Sequence, residues 1–174
     1  MLYKLDQVTG KPTLWKVASI NTPFTVIQNS SYQNTMEFIA VVMAVALMVK
    51  LGVRNANVDI TGDNTSSLTW AQSERFKGAR SQRAATVFIA LGISFDIEVG
   101  EAAHVAGINN HLCDKLSRGT DPRHVGFQDD EIITISQDDE LSEILSLCDP
   151  IKELSDEVEL ISLWRRLSEV LSRI

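Results

Sequence analysis

Residues Phe38 to Val49 are apolar without interruption, between Glu37 and Lys50. The run is shorter than the roughly 18 to 20 residues that a bilayer span needs. It reads as a buried helix from about Thr35 to Leu51, with Gly52 as a natural C′ residue. Nearly every face of this helix is apolar, so it must be covered on more than one side. A 174-residue chain that is 44% hydrophobic has the material for that cover. No signal peptide and no membrane association are expected. Cys113 and Cys148 form no cluster of metal-ligand spacing, which suggests neither zinc nor a disulfide scaffold. The expected setting is intracellular, cytoplasmic or nuclear.

The rest of the chain reads as α/β. Leu2–Asp6 and Thr13–Ile20 are predicted strands about a turn marked by Gly10 and Pro12, and Phe24–Gln28 is a third. Val58 and Ile60 alternate with Asp59 and Thr61 in a strand that Gly62 ends. Helices are expected at Thr65–Gln72 and Arg80–Leu91. Ile93, Phe95, Ile97 and Val99 alternate with polar residues and predict a further strand, followed by a loop over 100–110 and a helix over Asn110–Arg118.

Charge divides the chain. Residues 1–120 hold nine acids and eleven bases (+2), whereas residues 121–174 hold fourteen acids and five bases (−9). A mildly basic body tolerates a polyanion; the acidic tail repels one. Three units are expected: a domain over 1–119, a linker over 120–138, and an acidic amphipathic helical tail over 139–174. The tail holds two helical stretches, Asp139–Cys148 and Ile151–Ile174, separated by Pro150. In the second, Ile151, Leu154, Val158, Ile161, Trp164, Leu167, Leu171 and Ile174 recur at helical steps. The stripe either folds back on the protein or associates with another helix, including self-association through the tail. A loosely tethered helical hairpin is expected.

The chemistry concentrates in few acids. Asp63 follows the Val58–Thr61 strand, where a rigid element can present a carboxylate to a cleft; Gly62-Asp63-Asn64 is equally a common turn sequence. Glu37 stands near the start of the buried helix, either as the partner of Asn34 in a capping box or pointing along the sheet toward Asp63. Asp114 falls away from the Leu112/Leu116 face of its helix, as a solvated residue or a site residue. Grouped carboxylates raise one another's pKa and are stable mainly when cations neutralise them. Oxygen-only ligands suit Mg²⁺ or Mn²⁺, and two such ions can activate water at a phosphodiester.

Three segments carry a resemblance: N-T-M-E-F-I-A at 34–40, I-T-G-D-N at 60–64, and H-V-A-G-I-N-N-H-L-C-D-K-L-S-R-G at 104–119. Together they resemble the ribonuclease H family, most closely the ribonuclease H domains of retroelement reverse transcriptases. In the last segment His104, Gly107, Asn110, Asp114, Leu116, Ser117 and Arg118 fall in register with the family's ending. The resemblance covers about residues 1–119 and implies a ribonuclease H-like mixed sheet flanked by helices, here with a C-terminal helical extension. It implies Glu37, Asp63 and Asp114 as catalytic residues holding two Mg²⁺ or Mn²⁺ ions, and His104 as the mobile histidine of proton traffic and product release. It implies cleavage of the RNA strand of an RNA–DNA hybrid. Asn34, Asn64, Asn110, Arg75, Lys77 and Arg80 are candidate nucleic-acid contacts; Arg75, Lys77, Arg80 and Arg83 form only a modest basic patch, so a neighbouring polymerase domain of a longer polyprotein is expected to supply the grip.

The sequence departs from the family at its first acid. The family opens with a strand carrying an Asp, typically D-x-S, and no such motif stands here. Either Asp6 fills that role at the end of Leu2–Asp6, or the first two strands form the family's second hairpin and the acid lies upstream of Met1. The hairpin-like turn V-T-G-K-P favours the second. A catalytically inactive ribonuclease H-like connector, or a protein-interaction module built on the tail, is the alternative to a nuclease.

Overall fold

The computed structural model describes residues 1–174 except Val26, Lys77, Ile108 and Asn109. Two strands, β1 (Leu2–Leu5) and β2 (Pro12–Ser19), precede a long helix, α1 (Ser30–Lys50). Then come β3 (Ala56–Gly62), α2 (Thr65–Ser73), α3 (Gln82–Phe95), β4 (Ile97–His104) and α4 (His111–Ser117). The last elements are β5 (Ile132–Thr134), α5 (Glu140–Leu147) and α6 (Glu157–Leu171). The protein is mixed α/β, half of it helical, with mixed β-structure flanked by helices. The strands form two groups, β1-β2-β5 and β3-β4. β1 runs antiparallel to β2 and β5 parallel to it, with Val17 opposite Ile132. β3 and β4 are parallel, with Ala56 opposite Ile97 and Gly62 opposite His104.

The apolar run forms the central helix of the core. Phe38, Val42, Ala46 and Val49 have no solvent-accessible surface, and α2, α3 and α5 all pack on α1. The Phe38 ring sits among Trp70, Phe76 and Phe88, with centroid separations of 5.8, 5.2 and 5.5 Å, a range in which aromatic pairs attract beyond their area burial. α1 is long and apolar enough to cross a membrane by length and composition, and more than half of that stretch is buried inside the protein. The helix starts earlier than the sequence suggests. Asn29 is its N-cap, and its Oδ1 accepts the Tyr32 amide at 2.7 Å. The capping box expected between Asn34 and Glu37 is therefore not formed, and both residues lie inside the helix.

Two strand expectations are corrected. The described residues of 24–28 form no strand, so two strands rather than three precede α1. The alternation over 93–99 does not extend the sheet to Ile93. α3 continues past Gly92 to Phe95 and ends where Asp96 takes a left-handed conformation (φ 53°), its amide donating to the Gly92 carbonyl. Ile93 is left 77% exposed. β4 instead runs through residues expected to be a loop, as far as His104.

β3 and β4 slip by one residue between Val58/Val99 and Ile60/Ala102. Asp59 holds this bulge: its Oδ1 accepts the Glu101 amide at 2.9 Å. A Cβ on Gly100 would stand 2.9 Å from that same oxygen, so the position needs glycine for space. Gly100→Ala should push Asp59 off the Glu101 amide and cost about 1 kcal/mol, the worth of one such bond. Denaturant melts should show that cost largely absent when Asp59→Ala is already present, because the two changes remove the same contact.

The tail does not hang from a loose tether. Residues 120–138 include β5, which pairs with β2, and Lys16 Nζ donates to the Asp130 carbonyl. Asp139 caps α5 by accepting the Leu141 amide at 2.8 Å. Leu141, Ile144, Leu147, Leu163 and Leu167 are buried to within 2% and belong to the same core cluster as α1. Lys50, on the last turn of α1, contacts Asp139 at 2.7 Å and Glu140 at 2.8 Å. Arg83 Nε of α3 donates to the Leu147 carbonyl at 3.1 Å in a buried bond. Beside it, burial pushes the Cys148 thiol up to about 12, which makes it an inert core group. Leu167→Ala should therefore destabilise the whole protein by roughly 2 to 5 kcal/mol in a single cooperative transition. A separate low-temperature transition confined to the tail would show instead that the tail folds on its own.

Candidate functional site

Three stretches far apart in sequence meet at one end of the β3–β4 pair. Asp63 follows Gly62 directly at the end of β3 and is exposed. His104, the last residue of β4, lies opposite Gly62, so it is strand-held rather than carried on a loop. The chain then turns back over the end of β3. The Val105 amide donates to the Gly62 carbonyl at 2.8 Å, and a Cβ on Gly107 would come within 3.7 Å of Asp63 Oδ2. From the other side, α1 brings Glu37, half-buried. Its carboxyl is held above the usual glutamate range, first by burial and then by the charge of Asp63.

The two asparagines predicted beside these acids join them. Asn64 caps α2 through its Oδ1, which accepts the Ser67 amide at 2.9 Å, while its Nδ2 donates to Asn34 Oδ1 at 2.8 Å. One bridge thus fixes the start of α2 against α1. Next to it opens a cleft of about 690 Å³ between the first turns of α1 and α2, lined among others by Asn34, Thr65, Thr69, Trp70, Ser73 and Arg75. The hydroxyls of Thr69 and Ser73 donate back to the carbonyls of Thr65 and Thr69. This leaves their lone pairs as acceptors toward the cleft. The hydroxyl stripe is visible in T-S-S-L-T-W-A-Q-S at steps of four, a signal that the focus on acids overlooks.

Other predicted residues stand elsewhere. Asp114 lies on α4, exposed, with its Oδ1 2.9 Å from both Nε and Nη2 of Arg118. Among the described residues no group of three or more His, Cys, Asp or Glu is poised to hold a metal ion. The expected triad is thus a pair, Glu37 and Asp63, with Asp114 turned to its own helix. The α4 residue that feels the charge of Asp63 is Cys113. Its thiol is raised chiefly by burial, lowered by the Met1 amino group, and raised again by Asp63. Cys113 stands three residues before Leu116, so the helix period already put it on the inner face. Tyr3 of β1 is raised by burial and by Cys113, which brings the start of the chain to the same place.

Asp6 does not complete the site. It sits in the β1–β2 turn, where its Oδ1 accepts the amides of Val8 (3.0 Å) and Thr9 (2.7 Å) and the Thr9 hydroxyl (2.9 Å). These bonds hold its carboxyl below the usual aspartate range and commit it to the turn, correcting its assignment as the first acid. Asn110 precedes α4 without a side-chain cap. Arg80 lies in the short turn Ala79–Ser81, with Nη1 buried and without a hydrogen bond. Its charge acts on Tyr32, as does that of Asp149, and it does not line the cleft. Lys77 lies outside the described residues.

Comparison with protein families, with curated proteins and with solved structures yields no match. The site therefore rests on its geometry and chemistry. Its electrostatics are testable directly. A glutamate whose folded-state pKa is raised binds its proton more tightly in the folded protein than in the unfolded one. Stability then falls as pH rises from the ordinary glutamate value near ~4.3 through the raised one. Glu37→Gln should raise the melting temperature at neutral pH and lose that advantage in acid. A difference that persists unchanged below the ordinary glutamate pKa would show that the ionised carboxylate is not what costs stability.

Proposed function

We propose that this chain is a ribonuclease H-type domain of a retroelement reverse transcriptase, acting on the RNA strand of RNA–DNA hybrids. The observation that carries the reading is convergence. The segments N-T-M-E, T-G-D-N and H-V-A-G, on which the resemblance rests, come together around Glu37 and Asp63, although they are separated by tens of residues.

A half-buried glutamate whose carboxyl is held up first by burial and then by the charge of a neighbouring aspartate is an arrangement that a divalent cation would relieve. Glu37 and Asp63 would hold Mg²⁺ or Mn²⁺, which when bound supplies an activated water and neutralises charge at a phosphodiester. The adjoining cleft suits a ribose–phosphate backbone: Arg75 can meet a phosphate, and the hydroxyl lone pairs and Asn34 can meet a 2′-OH. His104, opposite Gly62 at the end of β4, would take the role of the family's mobile histidine. Asp114 joins only by giving up Arg118, an exposed ion pair worth at most about 1 kcal/mol. With Asp6 spent in a turn, the remaining acid of a two-ion site would come from a further strand outside residues 1–174. Among the described residues β3 is hydrogen-bonded to β4 and to no other strand, and a polymerase domain of the same polyprotein would supply the grip. The pairing of Asp114 with Arg118 favours a second reading, an inactive ribonuclease H-like connector.

Calorimetric titration with Mn²⁺ separates the two. A nuclease site binds the ion, and either Glu37→Gln or Asp63→Asn weakens binding by roughly tenfold or more. A labelled RNA–DNA hybrid should bind, less well in Arg75→Glu, and this chain alone should cut it negligibly, because Asp6 is held in a turn. No Mn²⁺ binding by the folded protein would leave the connector.

A further inference from the structure

We propose that α6 is the contact between two copies of this chain, paired antiparallel about Ile161. The inference stands apart from the carboxylate site and survives whichever reading of that site holds.

α6 has two apolar faces. Leu163, Leu167 and Val170 are buried to within 3% against α5 and α3. Val158 and Ile161, close to the opposite side of the helix, are 74% and 52% exposed, and Trp164 on the flank between is 39% exposed. Of the nine large hydrophobic residues exposed among those described, five fall between Ile151 and Trp164. Outward apolar residues are normal when scattered singly; clustered on one helix they mark an interaction surface. An aromatic ring and an Arg at its centre are the residue types that carry binding energy.

Charge decides the occupant. Glu157 stands four residues before Ile161 and Arg165 four after it; Val158 stands three before and Trp164 three after. Among the described residues Arg165 makes no ion pair, and both it and Glu157 are exposed. A two-fold axis beside Ile161 sets Trp164 of one copy level with Val158 of its partner. It sets Glu157 level with Arg165 of the partner, at both ends of the contact. The surface is therefore complementary to itself, as an isologous two-fold contact requires. The antiparallel arrangement also places the acidic first turn of each helix, with Asp156, Glu157 and Glu159, beside the basic Arg165-Arg166 segment of the other. A partner carrying one sign of charge would match only one end. A single helix pair buries less than the roughly 1,200 Å² of a standard stable complex, so the dimer forms in a concentration-dependent way.

Light scattering on the full chain across a concentration series tests this. The expected result is a shift from monomer to dimer mass. Ile161→Asp, at an exposed position, should remain monomeric with unchanged helical circular dichroism. Arg165→Glu should weaken the dimer by roughly tenfold, and adding Glu157→Arg should restore it. A wild-type protein that stays monomeric at every concentration overturns the proposal. So does a dimer that Ile161→Asp and Arg165→Glu leave unchanged, because its contact then lies elsewhere.

Discussion

Everything in this protein is arranged to keep α1 dry. A helix whose apolar residues occupy nearly every face cannot rest on a sheet alone, because half its circumference would stay in water. Helices α2, α3 and α5 all lie against it, and their side chains join β-strand residues in one core cluster. Phe38 shows how tightly the layers are joined: one ring meets Trp70 of α2, Phe88 of α3 and Phe76 between them. Full burial of such side chains is worth roughly 1.5 to 3 kcal/mol each, and that sum makes the rest of the arrangement tolerable.

The acidic tail follows from the same requirement. A balance of −9 over residues 121–174 looks like a segment that should stand clear of other structure. It packs because its charges and its leucines lie on different sides. Leu141, Ile144 and Leu167 turn inward, while the carboxylates stay at the rim, where Lys50 meets Asp139 and Glu140 and Arg173 meets Glu143. These rim pairs are partly exposed and add little energy; the Lys50 pairs tie the tail to α1, and Arg173–Glu143 ties the end of the chain to α5.

The carboxylate site is the place where the core's order is spent on something unfavourable. Glu37 belongs to the buried helix, so it cannot retreat from Asp63 without moving α1. Asp63 is equally held, by the end of β3 and by the Val105–Gly62 bond that folds the Gly107 turn over it. Burial and the Asp63 charge together hold the Glu37 carboxyl up, and the Asn34–Asn64 bridge beside them ties the start of α2 to α1. The cleft next to the pair is polar because its walls are the first turns of two helices, rich in serine and threonine.

The sequence alone determined what depends on near neighbours. The buried helix could be read from an unbroken apolar run, the position of Asp63 from a strand that meets glycine, and the amphipathic character of α6 from its repeat. Tertiary structure decided wherever two local solutions were equally good. Asn29 and Asn34 are equivalent caps by chemistry, and α1 starts at the first. Residues 93–99 alternate like a strand, yet Phe95 completes α3, because Asp96 accepts a left-handed turn and β4 finds its pairing with β3 only from Ile97. Asp6 could end a strand or make a turn, and three hydrogen bonds hold it in the turn. On α4 the helix period separates the inward Cys113 from the exposed Asp114, but only the neighbouring strand end brings the charge of Asp63 to bear on the Cys113 thiol. The stripe of α6 was visible but not its division into a buried face and an open one, since a helix's own pattern says how much apolar surface it has and not where the rest of the protein stands.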